Sequence, residues 1–431
     1  MSVFSRIECL VILSVAVFLS SCATPSVQNE PQGFRARATT QKQGGVQVTA
    51  VVLSPKETQA EFNAPLARKN IQPIWLDIEN SLDKRFYLMM LSIDPDYFAP
   101  SEVAWIMRND DEGSSLEDKM NFYLDKHIPV IILPHSKISG FVYTNLNPGA
   151  KAYTIELFSE NDARDFEFVD IIPGFEADFM RVNFDELYPA GTIKDLDLQE
   201  LRKYLEELPC CVMGKDNKTD GDPLNLVIIG EGRHVLATLV RQGWFLTETI
   251  HLGTSWKTAL SSVLGGMYKT SPVSPLYLFG RRHDAALQKA RGNVNQRNHL
   301  RLWKAPVTYE GQPVWVGQIS RDIGIRLSSK TLVTHKIDPV VDEARLYITL
   351  DLIAAGSLRA VGYVRGVGFA NQESPHYNFT KDPYYTDGYR VVLFLSKKQI
   401  NIEELHYLPW EQPNMKRALD RAIRLEDENH K

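Results

Sequence analysis

An alternation of period two that begins at Val46 limits most severely what this chain can fold into. Val46, Val48, Ala50 and Val52 share one side, and Ile74, Leu76 and Ile78 repeat the pattern in IQPIWLDIEN. A helix advances about 100° per residue and would scatter these groups around its axis, whereas a strand sends alternate residues to one face. The denser RFYLMMLSI continues the strand grammar. PVIILPHSKISGFVYTNLNPGAKAYTIELF then reads as two strands joined at Asn147, Pro148 and Gly149, and DARDFEFVDIIPGF adds another. SSLEDKMNFYLDKH predicts a short helix within the series. Short antiparallel strands bury one face each by packing as two sheets, so residues 46–180 are expected to form an immunoglobulin-like β-sandwich. The cysteine and tryptophan core signature of true immunoglobulin domains is absent from the segment.

The pattern then changes. LDLQELRKYLEELP predicts an amphipathic helix, and the polar GKDNKTDGDP after it marks a domain boundary. LNLVIIG is a continuous apolar strand, RHVLATLVRQG a helix stopped by Gly243, and SWKTALSSVLGG a second helix stopped by Gly265. PLYLFG, HLRLW, PVWVGQIS and YRVVLFL supply further strands, and DPVVDEARLYITLDLIAAG a long helix. The alternation is too irregular for a doubly wound fold, so residues 200–405 are expected to form an α+β domain with a mixed sheet. Residues 406–431 read as a charged helical tail. With 431 residues, two or three domains can each bury a core without disulfides.

Arg6, the apolar residues 10–19 and the small Ser20 and Ser21 precede Cys22, and together they resemble a bacterial lipoprotein signal. That resemblance implies removal of residues 1–21, lipidation of Cys22 and a membrane as partner. Ala23, where an inner-membrane retention signal has aspartate, implies the periplasmic face of the outer membrane. Residues 22–45, rich in Pro, Gly and Gln, read as a flexible tether. Of the remaining cysteines, Cys9 leaves with the signal. The adjacent Cys210 and Cys211 either bridge each other or stay as thiols. There is no CxxC, which removes sequence support for a structural zinc site. The formal net charge is −5 with no basic arm or stripe, so nucleic acid is not an expected partner.

Alternation in RNHLRLW puts His299, Arg301 and Trp303 on one strand face and Leu300 and Leu302 on the other. If both faces are covered, His299 and Arg301 stand at the mouth of a pocket walled by Trp303. Arg281, Arg282, Arg291, Arg297 and Arg301 can then receive a phosphate or carboxylate; a solvated edge strand is the alternative. Gln318 shares a face with Val314 and Val316. Asp322, at a strand end, is placed to orient or deprotonate His299 or His335, or else to pair with Arg321. His335, Asp338 and Asp342 can bind a divalent metal. The competing account makes Asp338 an N-cap before Pro339 and puts Asp342 in the first helical turn, three residues from Arg345. There is no GxSxG, HExxH or Walker loop, so no cofactor is indicated beyond that candidate metal.

GDPLNLVIIG, TSPVSPLYLFGRRHDAALQKARG, RNHLRLWKAP, PVWVGQISRDIG and THKIDPVVDEARLYITLDLI, in this order, resemble the LssY C-terminal domain family over about residues 221–365. In that family the module occurs alone or attached to membrane proteins, some of the acid-phosphatase superfamily type. The resemblance implies the module and no particular chemistry. The expected function is therefore binding of an anionic ligand or an envelope protein by the C-terminal domain. The ligand residues would be Arg281, Arg291, Arg297, Arg301, Trp303 and Gln318. The alternative is a metal-assisted or histidine-dependent phosphoester or ester hydrolase using His299, His335 and Asp322.

Overall fold

The computed structural model describes residues 33–110, 113–215, 219–249, 269–290, 297–326, 334–378 and 381–413, the side chains of 324–326 and 334–336 excepted. The expected signal, Cys22, residues 22–32 of the tether, the helix predicted in SWKTALSSVLGG, Arg291 and residues 414–431 lie outside the described residues. The chain divides into two compact units, Met1–Ala38 and Thr39–Lys431. The described part of the first holds one 3-10 turn, Phe34–Arg37.

The second unit begins with eight strands: Thr39–Gln43 (β1), Val46–Val52 (β2), Ile71–Asn80 (β3), Phe86–Met89 (β4), Ile131–Ile132 (β5), Ser136–Asn145 (β6), Ala150–Ser159 (β7) and Asp162–Ile171 (β8). They form two antiparallel sheets, β1-β2-β3-β6 and β5-β4-β7-β8. Val48, Leu76 and Val142 of the first share a core with Leu88, Ile155 and Phe166 of the second, so the period-two pattern is buried as expected. β1 corrects the tether, which ends before it. TTQKQ has no apolar side to read, and its pairing with β2 is made by Gly44 and Gly45, whose φ values of 49° and 84° suit a tight hairpin turn. The expected helix is Leu116–Lys126, started by a reciprocal cap between Ser115 and Asp118. Pro55–Phe62 begins the same way with Ser54 and Glu57, a signal left unread in SPKE.

The remaining strands are Lys194–Leu196 (β9), Cys211–Met213 (β10), Asp220–Pro223 (β11), Leu226–Ile229 (β12), Phe245–Leu246 (β13), Tyr277–Leu278 (β14), Arg281–Arg282 (β15), Ala285–Ala290 (β16), Arg297–Tyr309 (β17), Gln312–Arg326 (β18), Thr334–Ile337 (β19), Leu358–Arg365 (β20), His376–Tyr377 (β21), Pro383–Tyr384 (β22), Tyr389–Leu395 (β23) and His406–Tyr407 (β24). The main sheet runs β13-β16-β17-β18-β12-β23-β20-β24, with β9 on β17 and β19 on β18. It is mixed, since β12 lies antiparallel to β18 and parallel to β23. One face packs Leu300, Leu302 and Leu393 against the helices Gly232–Arg241 and Val341–Ala354 through Leu239 and Ile348. The other packs Val227, Val316 and Trp303 against Leu201 and Leu205 of the helix Leu198–Glu207.

Two polar contacts stiffen this part. Glu167 on β8 accepts from Arg241 at 2.8 Å and lies 3.3 Å from His234 Nδ1, tying the N-terminal sheets to the Gly232–Arg241 helix. Its hydrogen bond with His234, helped by Arg241, holds the Glu167 carboxyl down to about 2, and the same contact raises His234. Deeper in, Arg390 is fully buried and donates to the carbonyls of Leu205, Leu208, Pro209, Leu224 and Gly366. A helix end leaves its last carbonyls without partners, and this guanidinium supplies them. Gly366 must be glycine there, because a Cβ would sit 2.1 Å from Arg390 Nη1. Beyond residue 405 the expected helix is replaced, as far as residue 413, by β24 and by Leu408 and Trp410 packed against the core.

Candidate functional site

The face of β17 and β18 that buries Trp303 changes character along its length. Val307, Ala305 and Trp303, opposite Val314 and Val316, are core residues. Two residues on, Arg301 stands opposite Gln318, followed by His299 and Arg297 on β17 and Ser320 and Asp322 on β18. Cover on both faces keeps this polar end dry: His299 is 6% exposed, Arg301 8% and Gln318 0%. His299 Nε2 lies 2.5 Å from Asp322 Oδ2 and 3.0 Å from Arg297 Nε. One ring nitrogen cannot donate to a carboxylate and accept from a guanidinium along the same direction. The shorter, charge-assisted contact decides it: Nε2–H donates to Asp322, and Arg297 serves the same carboxylate from 3.7 Å. Nδ1 of His299 is then a buried lone pair with no hydrogen-bond partner. Burial pushes the imidazole down to about 4. Asp322 opposes that shift, while Arg297 and Arg301 reinforce it.

Arg301 donates from Nη1 to Gln318 Oε1 at 2.7 Å and from Nε to the Ser274 carbonyl at 3.2 Å. Gln318 turns its amide to Asp222 at 3.3 Å, and Asn378 donates to the other Asp222 oxygen at 3.0 Å. Desolvation raises Asp222, partly offset by Arg301. Arg297 completes its contacts through Nη1 on Gln288 Oε1. Arg301 donates through Nε and Nη1, and Arg297 donates through Nη1 with its Nε turned to the Asp322 carboxylate, so Nη2 of each has no acceptor among the described residues. Asp222, Asn378 and Gln288 were not read from sequence. Nor was the buried pair His283 and Asp178, 2.9 Å apart, which packs against the edge of Trp303. GDP and FGRRHD give no local sign that their polar groups meet this strand.

Other candidates do not converge here. Arg281 is held by Asp284, the Tyr188 hydroxyl and the Lys304 carbonyl. Only its backbone carbonyl meets the site's wall, accepting from Trp303 Nε1 at 3.4 Å. The backbone of His335 pairs with Ile325, on the strand beside Asp322; its side chain is outside the described set. Asp342 accepts from Thr386 Oγ1 and the Asp387 amide and lies 3.4 Å from Arg345, the structural role weighed against a metal. Asp338 does not cap the helix. It accepts from the Val340 amide, and the N-cap is Val340. Among the described residues no group of three or more His, Cys, Asp or Glu is arranged to hold a metal ion.

Residues 202–389 match the LssY C-terminus family. The LssY C-terminal match contains Asp222, all of β17 and β18, and Asn378. It extends beyond the expected 221–365 at both ends and leaves the two N-terminal sheets outside. No curated protein matches the chain. Chemically, the matched segment presents a neutral imidazole oriented by a carboxylate, with two guanidiniums beside it. That set can hold an anion, and the Nδ1 lone pair can accept a proton.

Proposed function

We propose that this protein is a cell-envelope lipoprotein whose LssY C-terminal segment binds an anionic ligand at the polar end of β17 and β18. In this reading a lipidated Cys22 holds it on the periplasmic face of the outer membrane. The two N-terminal sheets are an immunoglobulin-like β-sandwich that spaces the binding domain from the bilayer. The observation that carries the binding assignment is Arg301: a buried guanidinium whose hydrogen-bond partners, Gln318 and the Ser274 carbonyl, are both neutral. Asp222, Asp322 and Asp178 act on this guanidinium electrostatically without a direct hydrogen bond among the described residues, and a bound phosphate or carboxylate would add a contacting anion through Nη2. Arg390 is the contrast within the same fold, since all three of its nitrogens are already occupied by carbonyls.

Calorimetric titration of the full chain with inorganic phosphate and with citrate tests this. Arg301→Ala is expected to weaken binding by about tenfold or more, and Arg301→Lys nearly as much, because lysine keeps the charge but lacks the planar fork. Unchanged affinity in folded Arg301→Ala protein rules the site out. For the anchor, labelling with a fatty-acid analogue is expected to disappear in Cys22→Ala, and equal labelling of both chains excludes it. A second reading, a hydrolase, is favoured by the 2.5 Å His299–Asp322 contact with its uncommitted Nδ1. Turnover of a nitrophenyl phosphate or acetate ester, with or without divalent metal, that is lost in folded His299→Gln would establish it.

A further inference from the structure

Away from the β17 face, Cys210 and Cys211 are bridged to each other. Beside them lies a cleft of about 620 Å³, lined among others by Cys210, Arg365, Phe369, His376, Asp387 and Tyr389. Three observations describe what it would accept. Phe369 is 59% exposed, a large ring left in water at the cleft wall. The charged groups are already compensated: Arg365 Nε lies 3.2 Å from Glu411, and Asp387 is held by Arg345 at 2.7 Å. The groups left over are an imidazole and a phenol, since neither the His376 ring nor the Tyr389 hydroxyl is engaged in a hydrogen bond among the described residues. Gly366, Gly368 and Gly388, at φ 133°, 84° and 91°, also bring bare main chain to the lining.

We propose that this cleft binds a neutral saccharide ring. A pyranose carries an apolar C–H face that can lie on Phe369 and against the disulfide. It also carries hydroxyls that donate and accept, matching an imidazole and a phenol. An anion would meet an arginine already paired with Glu411, and a purely apolar ligand would bury the imidazole and phenol without partners. The disulfide helps position the imidazole: Cys211 Sγ contacts the Tyr384 hydroxyl at 3.5 Å, and the His376 ring packs edge-on to Tyr384 with centroids 5.6 Å apart.

The test is calorimetric titration of the full chain with chitotetraose and with maltotetraose, each to about 20 mM. Saturable binding of at least one is expected. Phe369→Ala, a change at an exposed ring that leaves the circular dichroism spectrum unaltered, is expected to weaken it about tenfold, or about 1.4 kcal/mol. His376→Ala should weaken it in the same direction, and Arg301→Ala should leave it unchanged, which separates this site from the anion site. Failure of both sugars to saturate overturns the proposal. So does equal affinity in folded Phe369→Ala and His376→Ala, or loss of sugar binding in Arg301→Ala.

Discussion

Replacing Arg390 by Met is expected to cost about 3 to 5 kcal/mol of stability. Methionine fills much of the space but donates nothing. The carbonyls of Leu205, Leu208, Pro209, Leu224 and Gly366 would be left in a dry interior. They belong to the end of the Leu198–Glu207 helix and to the segments preceding β12 and following β20, so one side chain fastens three parts of the fold. Burial holds the Arg390 pKa down to about 10, still charged at neutral pH. Arg390→Lys should recover only part of the loss, because three donors on one atom cannot reach carbonyls spread around a planar fork. Urea unfolding of the three chains is the measurement, and a loss below about 1 kcal/mol in Arg390→Met would refute the role.

The second large effect is a pH dependence set by His299. Its folded-state pKa is about 4 against an ordinary 6.5. Between those values the unfolded chain binds a proton that the folded chain refuses, so stability falls as pH falls. The stabilisation is present in full above pH 6.5, and about 3 kcal/mol is lost by pH 4. His127 and His283, also lowered by burial, act in the same sense. His234 has the opposite sign: its raised pKa gives a contribution that is complete below 6.5 and lost as pH climbs through the folded value. Unfolding free energies from about pH 7 to about pH 4.5, measured beside His299→Gln, isolate the His299 share because the other histidines are common to both chains. Identical slopes in the two chains would show that His299 is not held neutral by the fold.

Much of this arrangement is legible in the residues, and the limits have physical reasons. Alternation alone places His299, Arg301 and Trp303 on one face and Leu300 and Leu302 on the other, because a strand leaves no third choice. What covers the polar end is not local. Gln318 meets Asp222 across 96 residues and Asp222 meets Asn378 across 156, separations on which spacing rules are silent. Proximity in sequence groups Arg281 with the other arginines, yet Asp284, three residues on, captures it. The start of the last helix shows tertiary contact overriding a good local signal. Asp338 and Pro339 have the chemistry of a helix start, but the Pro339 carbonyl accepts from Tyr385 and the Val341 amide donates back to it. That bridge holds the chain extended until Val341. β1 escaped notice because five polar residues offer no hydrophobic period, only the glycine pair that turns them.

The ten-stranded sheet tapers at both margins, to Phe245–Leu246 on one side and His406–Tyr407 on the other. A wide sheet usually carries the risk that its outermost strand recruits a matching strand from a neighbour and grows by accretion. Among the described residues the two margins end in two-residue strands, and the side branches β9 and β19 are three and four residues long, little repeating main chain to template such addition. Breadth in the middle and brevity at the rims let this one sheet be extensive while presenting short outer strands, poor seeds for cross-β stacking at high local concentration.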